Sequence, residues 1–398
     1  MTVRADVERL TPNAAGDAPV AEVVDGLRTF ALRLAASGSG PGGGNLVVSP
    51  ASIALAFAMV EAGAVGSTAA DIATAFGFPD VPGLHEAMNS LSAQLQAVTR
   101  EGPEGPDGAG GVTLDIANAI WGQQGLEIGP PFLATLASHY GAGVETVDYV
   151  GDADAARREI NAWVSDVTRE RIPELLPRGS VDASTLVAVV NAIYLDAAWR
   201  TPFDEALTTD RPFTPADGTS VEVPTMHHPR LATVATVIDA YAAVKLTYEG
   251  HELAMVVIVP QGAGTLAGFE AELTGDGLAR IVAGLSRAQV DLTMPRWEAT
   301  SALDLAEPLS AMGLRIPGGD LGGIAPGAFI GAAVHAANIT VDEKRTVAAA
   351  ATGVMVGRAA MEAPPQLRIA VDRPFLFVVQ HEATGAPLFY GRIADPRP

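Results

Sequence analysis

Residues Asp342 to Ala363 read DEKRTVAAAATGVMVGRAAMEA. Four charged residues open the stretch, and no charge follows from Thr346 to Gly357. Ala348 to Ala351 would bury little on any face, so the segment has no helical stripe. As a strand, one alternate row is Thr346, Ala348, Ala350, Thr352, Val354 and Val356, small at first and β-branched later. Two readings stand open from local sequence: an internal strand or helix start, or a loop able to become a strand.

The flanks are clearer. Before the stretch, VHAANITVDE (334–343) is a strand leading directly into it. After it, PFLFVVQHEATGAPLFYGRIADP (374–396) is a buried hairpin turning near Thr384-Gly385. Further out, TLVAVVNAIYLDAAW (185–199) is too apolar and β-branched for a surface strand and belongs inside a sheet. SPASIALAFAMVEAG (49–63) is a helix apolar on nearly all sides, so it must be central. From Val20 to Leu34 the apolar residues fall at helical spacing with one buried face, and 84–99 and 153–167 are amphipathic helices. VTLDIANAIWG (112–122) alternates as a strand, and from about Thr214 strands dominate, with turns expected at Pro229 and Glu249-Gly250. No internal repeat or interdomain linker interrupts the chain. The pattern is α+β, with a flexible tail over residues 1–18 and a single domain over 19–398.

Composition narrows the function. The 398 residues carry 25 Lys and Arg against 46 Asp and Glu, a net charge of −21, which opposes binding to nucleic acid or to an anionic membrane. Cysteine is absent, excluding thiol nucleophiles, disulfides and thiolate metal sites. MTVRADVERLTPN lacks the apolar core of a signal peptide, and no apolar run spans a bilayer. As written, the chain is expected in the cytoplasm; a misassigned start or unconventional export would put it outside the cell. None of the seven histidines has HExxH spacing, no serine sits in a GxSxG elbow, and adjacent His227 and His228 would point to opposite faces of a strand. Gly38, Gly40 and Gly43 match a dinucleotide-binding glycine pattern but lack the strand before and helix after that it requires. Neither an enzyme nor a cofactor or metal is expected.

Four stretches together resemble one family, the serpins, and span about Val20 to Pro396. NLVVSPASIALAFAMVEAGAVGST is similar to the family's helix B segment. NAIYLDAAWRTPFD followed by VEVPTMHH is similar to strand 3A and the turn into the next sheet. VHAANITVDEKRTVAAAATG resembles strand 5A and the hinge of the reactive-centre loop, and VDRPFLFVVQHEATGAPLFYGRIADP resembles the C-terminal signature. Composition and the missing signal peptide are similar to prokaryotic, intracellular members. The resemblance implies eight or nine helices on three β-sheets, with an exposed reactive-centre loop at about 343–365.

It also implies residue roles. Ser49, Ser52, Asn191 and His335 match a polar "shutter" beneath the central sheet, His335 falling eight residues before Glu343. Trp199, eight residues after Asn191, matches the "breach" tryptophan where the loop enters the sheet. Glu343, Lys344, Arg345, Thr346 and Ala348, Ala349, Ala350 and Ala351 match the hinge. Seventeen positions from Glu343 place the cleaved bond at Ala359–Ala360, suiting an elastase-like or subtilisin-like protease. A loop read one residue shorter places it at Arg358–Ala359, suiting a trypsin-like one. The implied activity is suicide inhibition: the cleaved loop enters the sheet as a strand and carries the acylated protease with it. No charge lies on the inward row, so insertion buries nothing unpaired. Arg345 departs from the glycine usual there, which would ease the bend, and so keeps a non-inhibitory, binding or chaperone-like member as the alternative. The expected state is a monomer capable of loop-sheet polymerisation, without a heparin-type polyanion site.

Overall fold

The computed structural model describes residues 1–12, 19–38, 43–100, 111–262, 266–346 and 365–397. Nine α-helices occur among them: α1 (Val20–Gly38), α2 (Pro50–Glu61), α3 (Ser67–Phe76), α4 (Leu84–Gln96), α5 (Pro130–Thr135), α6 (Tyr149–Val167), α7 (Leu266–Glu272), α8 (Gly275–Ala283) and α9 (Ala306–Ala311). A π-helical turn, Leu136–Tyr140, extends α5. The all-round apolar α2 is the innermost helix, buried from Pro50 to Val60. Ile53, Leu55, Phe57, Met59 and Val60 each contribute about 1.5–3 kcal/mol through that burial.

The first sheet has seven strands in the order β1 (Thr2–Val3), β4 (Val144–Val147), β3 (Val112–Gln123), β5 (Val187–Ala198), β13 (Arg345–Thr346), β12 (Ile330–Val341) and β11 (Trp297–Asp304). One face packs on the main core with α2; α6 covers the other, where Trp121 meets Trp163 edge to face. The second sheet runs β14 (Leu367–Ala370), β10 (Ser286–Pro295), β7 (Val221–Val237), β8 (Tyr241–Thr247), β9 (Leu253–Pro260), β15 (Phe375–His381), β16 (Pro387–Ile393) and β2 (Leu46–Val48), with β6 (Thr209–Phe213) beside β7.

Three sheets were expected, but the described residues form two continuous ladders. The reason is β7: seventeen residues long, it pairs with β10 over most of its length and then with β8 near its end. Pro229 is correspondingly not a turn. It lies inside β7 where the register to β10 slips between Val290 and Leu292, a bulge at which the missing N–H of proline breaks no ladder bond. The chain reverses instead between Val237 and Tyr241. The C-terminal hairpin turns as expected, with Gly385 in the left-handed region at φ 71°.

Residues 1–12 also depart from the expected flexible tail. Thr2–Val3 pairs antiparallel with Glu145 and Val144, adding an edge strand to the first sheet. Arg9 donates to Asn89, Ser92 and Gln96 of α4, and the Leu10 carbonyl accepts from Asn89 Nδ2 at 2.9 Å. Polar composition suggested fraying, but these groups find partners more than seventy residues away.

Candidate functional site

Strands β5 and β12 run parallel and pair from Val187↔Ile330 to Ile193↔Ala337. In this register His335 lies opposite Asn191, and on the other side of β5, Asn118 of β3 lies opposite Asn191 as well. Three polar side chains thus form a row across three adjacent strands, directly over the start of α2. Ser49, Ser52, Asn191 and His335 are all buried, so each polar atom needs a partner inside the protein.

The hydrogen bonds run in one direction. The Ser49 N–H donates to His335 Nε2 at 3.0 Å, which makes Nε2 the acceptor and leaves the proton on Nδ1. Nδ1 then donates to Asn191 Oδ1. This orients the Asn191 amide so that Nδ2 donates to Ser52 Oγ at 2.5 Å and to Asn118 Oδ1. Ser49 Oγ meanwhile caps α2 by accepting from the Ser52 N–H at 3.3 Å. Burial lowers the His335 pKa to about 3, because a charged imidazole there would have neither water nor counter-ion. The cluster is neutral throughout.

Above this row the two strands part. At their upper end Arg345–Thr346 lies between them, antiparallel to both: Arg345 opposite Ala198 and Thr346 opposite Ala197 on one side, Thr346 opposite Val341 on the other. Trp199 holds the base of this turn. Its indole Nε1 donates to the Asp342 carbonyl at 2.9 Å, its backbone N–H donates to the Lys344 carbonyl at 2.8 Å, and its ring stacks on Tyr248.

Glu343 is the buried residue of the turn. Both carboxylate oxygens accept from Arg296 Nε at 2.8 Å, and Thr208 Oγ1 also donates to it. Burial pushes the Glu343 pKa up, but the bonds from Arg296 and Thr208 outweigh it, and the group lies below its ordinary value. Lys344 pairs with Glu205 at 2.8 Å. These contacts form a clasp at the top of the sheet.

The structure therefore brings together Ser49, Ser52, Asn191 and His335 at one site, and Trp199 with Glu343, Lys344, Arg345 and Thr346 at a second. Ala348, Ala349, Ala350, Ala351, Arg358, Ala359 and Ala360 lie outside the described residues. Sequence reasoning missed Asn118, Arg296, Thr208 and Glu205. Only Asn118 left a trace, as an amide in the middle of the apolar strand VTLDIANAIWG; the others were unremarkable polar residues far from their partners.

The remaining histidines serve separate local contacts. His227 binds Asp291 at 2.8 Å whereas its neighbour His228 packs edge-on to Phe203, on different partners as strand alternation requires. His85 bonds Tyr140 Oη at 2.8 Å, and His381 bonds Thr384 Oγ1. Among the described residues no cluster of His, Asp and Glu could hold a metal ion, and no helix is long and apolar enough to cross a membrane.

Residues 25–396 match the family model "Serpin (serine protease inhibitor)". The leukocyte elastase inhibitor of Bos taurus is 34% identical over 365 residues, covering 89% of this chain and 93% of that protein. The leukocyte elastase inhibitor of Homo sapiens is 32% identical over 378 residues, covering 92% and 96%. Among solved structures, the native state of tengpin, a thermophilic serpin, superposes with a TM-score of 0.84 at 22% identity and 99% coverage of both chains.

Proposed function

The chain belongs to the serpin family of serine protease inhibitors, and from that premise we propose that it inhibits by suicide, trapping its protease through insertion of the cleaved loop. The observation that carries this reading is the state of the first sheet. It is closed below, where β5 pairs directly with β12, and already parted above, where Arg345–Thr346 occupies the place of an added strand.

The chemistry belongs to the protease. Its serine Oγ attacks the carbonyl carbon of the bait residue, the peptide C–N bond breaks, the new amine takes the proton, and an ester joins the two proteins. The cleaved segment then continues downward from Thr346. Each residue that enters replaces one parallel β5–β12 ladder with two antiparallel ones, which are slightly the stronger type. For this to happen the Asn191–His335 bond must break, and the polar row allows side chains to exchange partners there instead of tearing an apolar seam.

Arg345 bears on the alternative, a member whose loop does not insert. Its backbone pairs with Ala198 in the strand, so an arginine at this position is compatible with the first step of insertion. That favours the inhibitory reading. The bait at Ala359–Ala360, and relatives named as leukocyte elastase inhibitors, favour an elastase-like target; a subtilisin-like protease shares that preference, and Arg358–Ala359 would instead select a trypsin-like enzyme.

Incubation with elastase, subtilisin and trypsin followed by denaturing gels tests both points. A band containing protease and inhibitor that survives denaturation is expected, and mass analysis of the released C-terminal peptide identifies the bait. Cleavage without any linked band sinks the suicide mechanism.

A further inference from the structure

A cavity of about 730 Å³ that the inhibitory reading does not use lies between Arg200 and Gln366. It opens where β7 passes from its pairing with β10 to its pairing with β8. Arg200, one residue beyond Trp199, forms part of its wall, and Gln366, just before β14, forms another. A small inner recess continues from it to Trp199.

Its charge is opposite to that of the molecule. Arg200, Lys245 and Arg287 line it, with Glu382 as the one acidic lining residue. Glu382 is committed to Lys245, Nζ to Oε2 at 2.7 Å. Arg200 and Arg287 are exposed and have no ion-pair or hydrogen-bond partner for their guanidinium groups among the described residues. What distinguishes these two arginines is that both line one concavity in a chain with 46 acidic and 25 basic residues. Thr233 and Gln289 add neutral hydrogen-bonding groups to the same wall.

We propose that this cavity binds a compact, multiply charged phosphate. Guanidinium forks match tetrahedral oxyanions bidentately, and an open concavity of this size seats a small molecule. Compactness follows from the rest of the charge: a long polyanion would extend over an acidic surface and be repelled, whereas a small one stays within the positive wall. An occupant touches Arg200, one residue beyond Trp199, on one side and Gln366 on the other. The proposal is independent of whether the protein inhibits a protease.

Inorganic pyrophosphate is the probe, titrated into the full chain at constant ionic strength set with sodium chloride. A saturable rise in thermal midpoint is expected, with a saturable change in tryptophan emission from Trp199. Arg200→Ala and Arg287→Ala should each weaken binding by about tenfold, the loss of one charge-assisted contact. Arg397→Ala, remote in sequence and paired with Asp395, should leave it unchanged. Both arginines are exposed, so the variants should fold; equal midpoints without pyrophosphate check this. A response that does not saturate, or that the Arg200→Ala, Arg287→Ala double variant retains, overturns the proposal.

Discussion

In the second sheet, β9, β15 and β16 are buried along their entire lengths and joined by antiparallel ladders, with Phe377 against Trp297 of the first sheet and Tyr390 on the opposite face beside Glu270. In the first sheet, β5 and β12 are buried almost as completely, yet they meet in a parallel ladder, carry a row of polar side chains across it, and separate at the top. Similar hydrophobic content thus yields an uninterrupted core in one place and, on the proposed mechanism, a seam that parts in the other. What differs is where polar groups sit. An apolar interface can open only by exposing its surface, but a hydrogen-bonded one can hand its bonds to an incoming strand.

The comparison breaks if both regions respond alike to mutation. Phe377→Ala should cost about 3–5 kcal/mol in urea denaturation, and should do so equally in the intact and loop-cleaved proteins, because β15 keeps its neighbours in both. A loss confined to the intact form would show that the second sheet also rearranges.

Asn191→Ala leaves His335 Nδ1, Ser52 and Asn118 without their shared partner. A loss of about 2–3 kcal/mol is expected in the intact protein. The cleaved protein should lose less, since the Asn191–His335 bond is then already replaced. Equal losses would remove the seam's special status.

Acid sharpens the same point. The folded His335 pKa of about 3 lies below its ordinary 6.5, so between these values the unfolded chain binds a proton that the native one refuses. Native stability is full above pH 6.5 and falls as the pH drops toward 3, by at most about 1.4 kcal/mol per pH unit from this residue. His85, His228 and His381 are also lowered by burial and act in the same direction. The His335 share is therefore read as the difference in slope between the wild type and His335→Gln over pH 5–7.

The smallest effect concerns the edge of the first sheet. Arg9→Ala removes side-chain bonds to α4 that are only partly buried, and a loss of up to about 1 kcal/mol in unfolding free energy by urea denaturation is expected. No change would mean that residues 1–12 follow the sheet without helping to hold it.

Much of this was readable along the chain. Helix α2 and strand β5 declare themselves by being largely apolar on every side, and strand β12 leads straight to the stretch read as the hinge. The residues expected to form the shutter and breach were picked out through family resemblance, not through their own local signal. Pro229 misled because a proline ordinarily ends a strand, and only the bulge opposite Asp291 makes room for it. Residues 1–12 misled because polar sequence near a terminus usually frays, and nothing local announces partners at Asn89 and Glu145.

Sequence alone determined most of the elements, their order and the family, since those depend on periodicity and on motifs within a few residues of one another. Tertiary structure alone decided that Asn118 joins the buried polar row, that Arg296 and Thr208 clasp Glu343, that β5 and β12 are parted above and joined below, and that Arg200 and Arg287 share a cavity. Each of these is a matter of register between strands or of side chains meeting across dozens to hundreds of residues. A one-residue slip would turn those side chains to the opposite face and leave the local pattern unchanged.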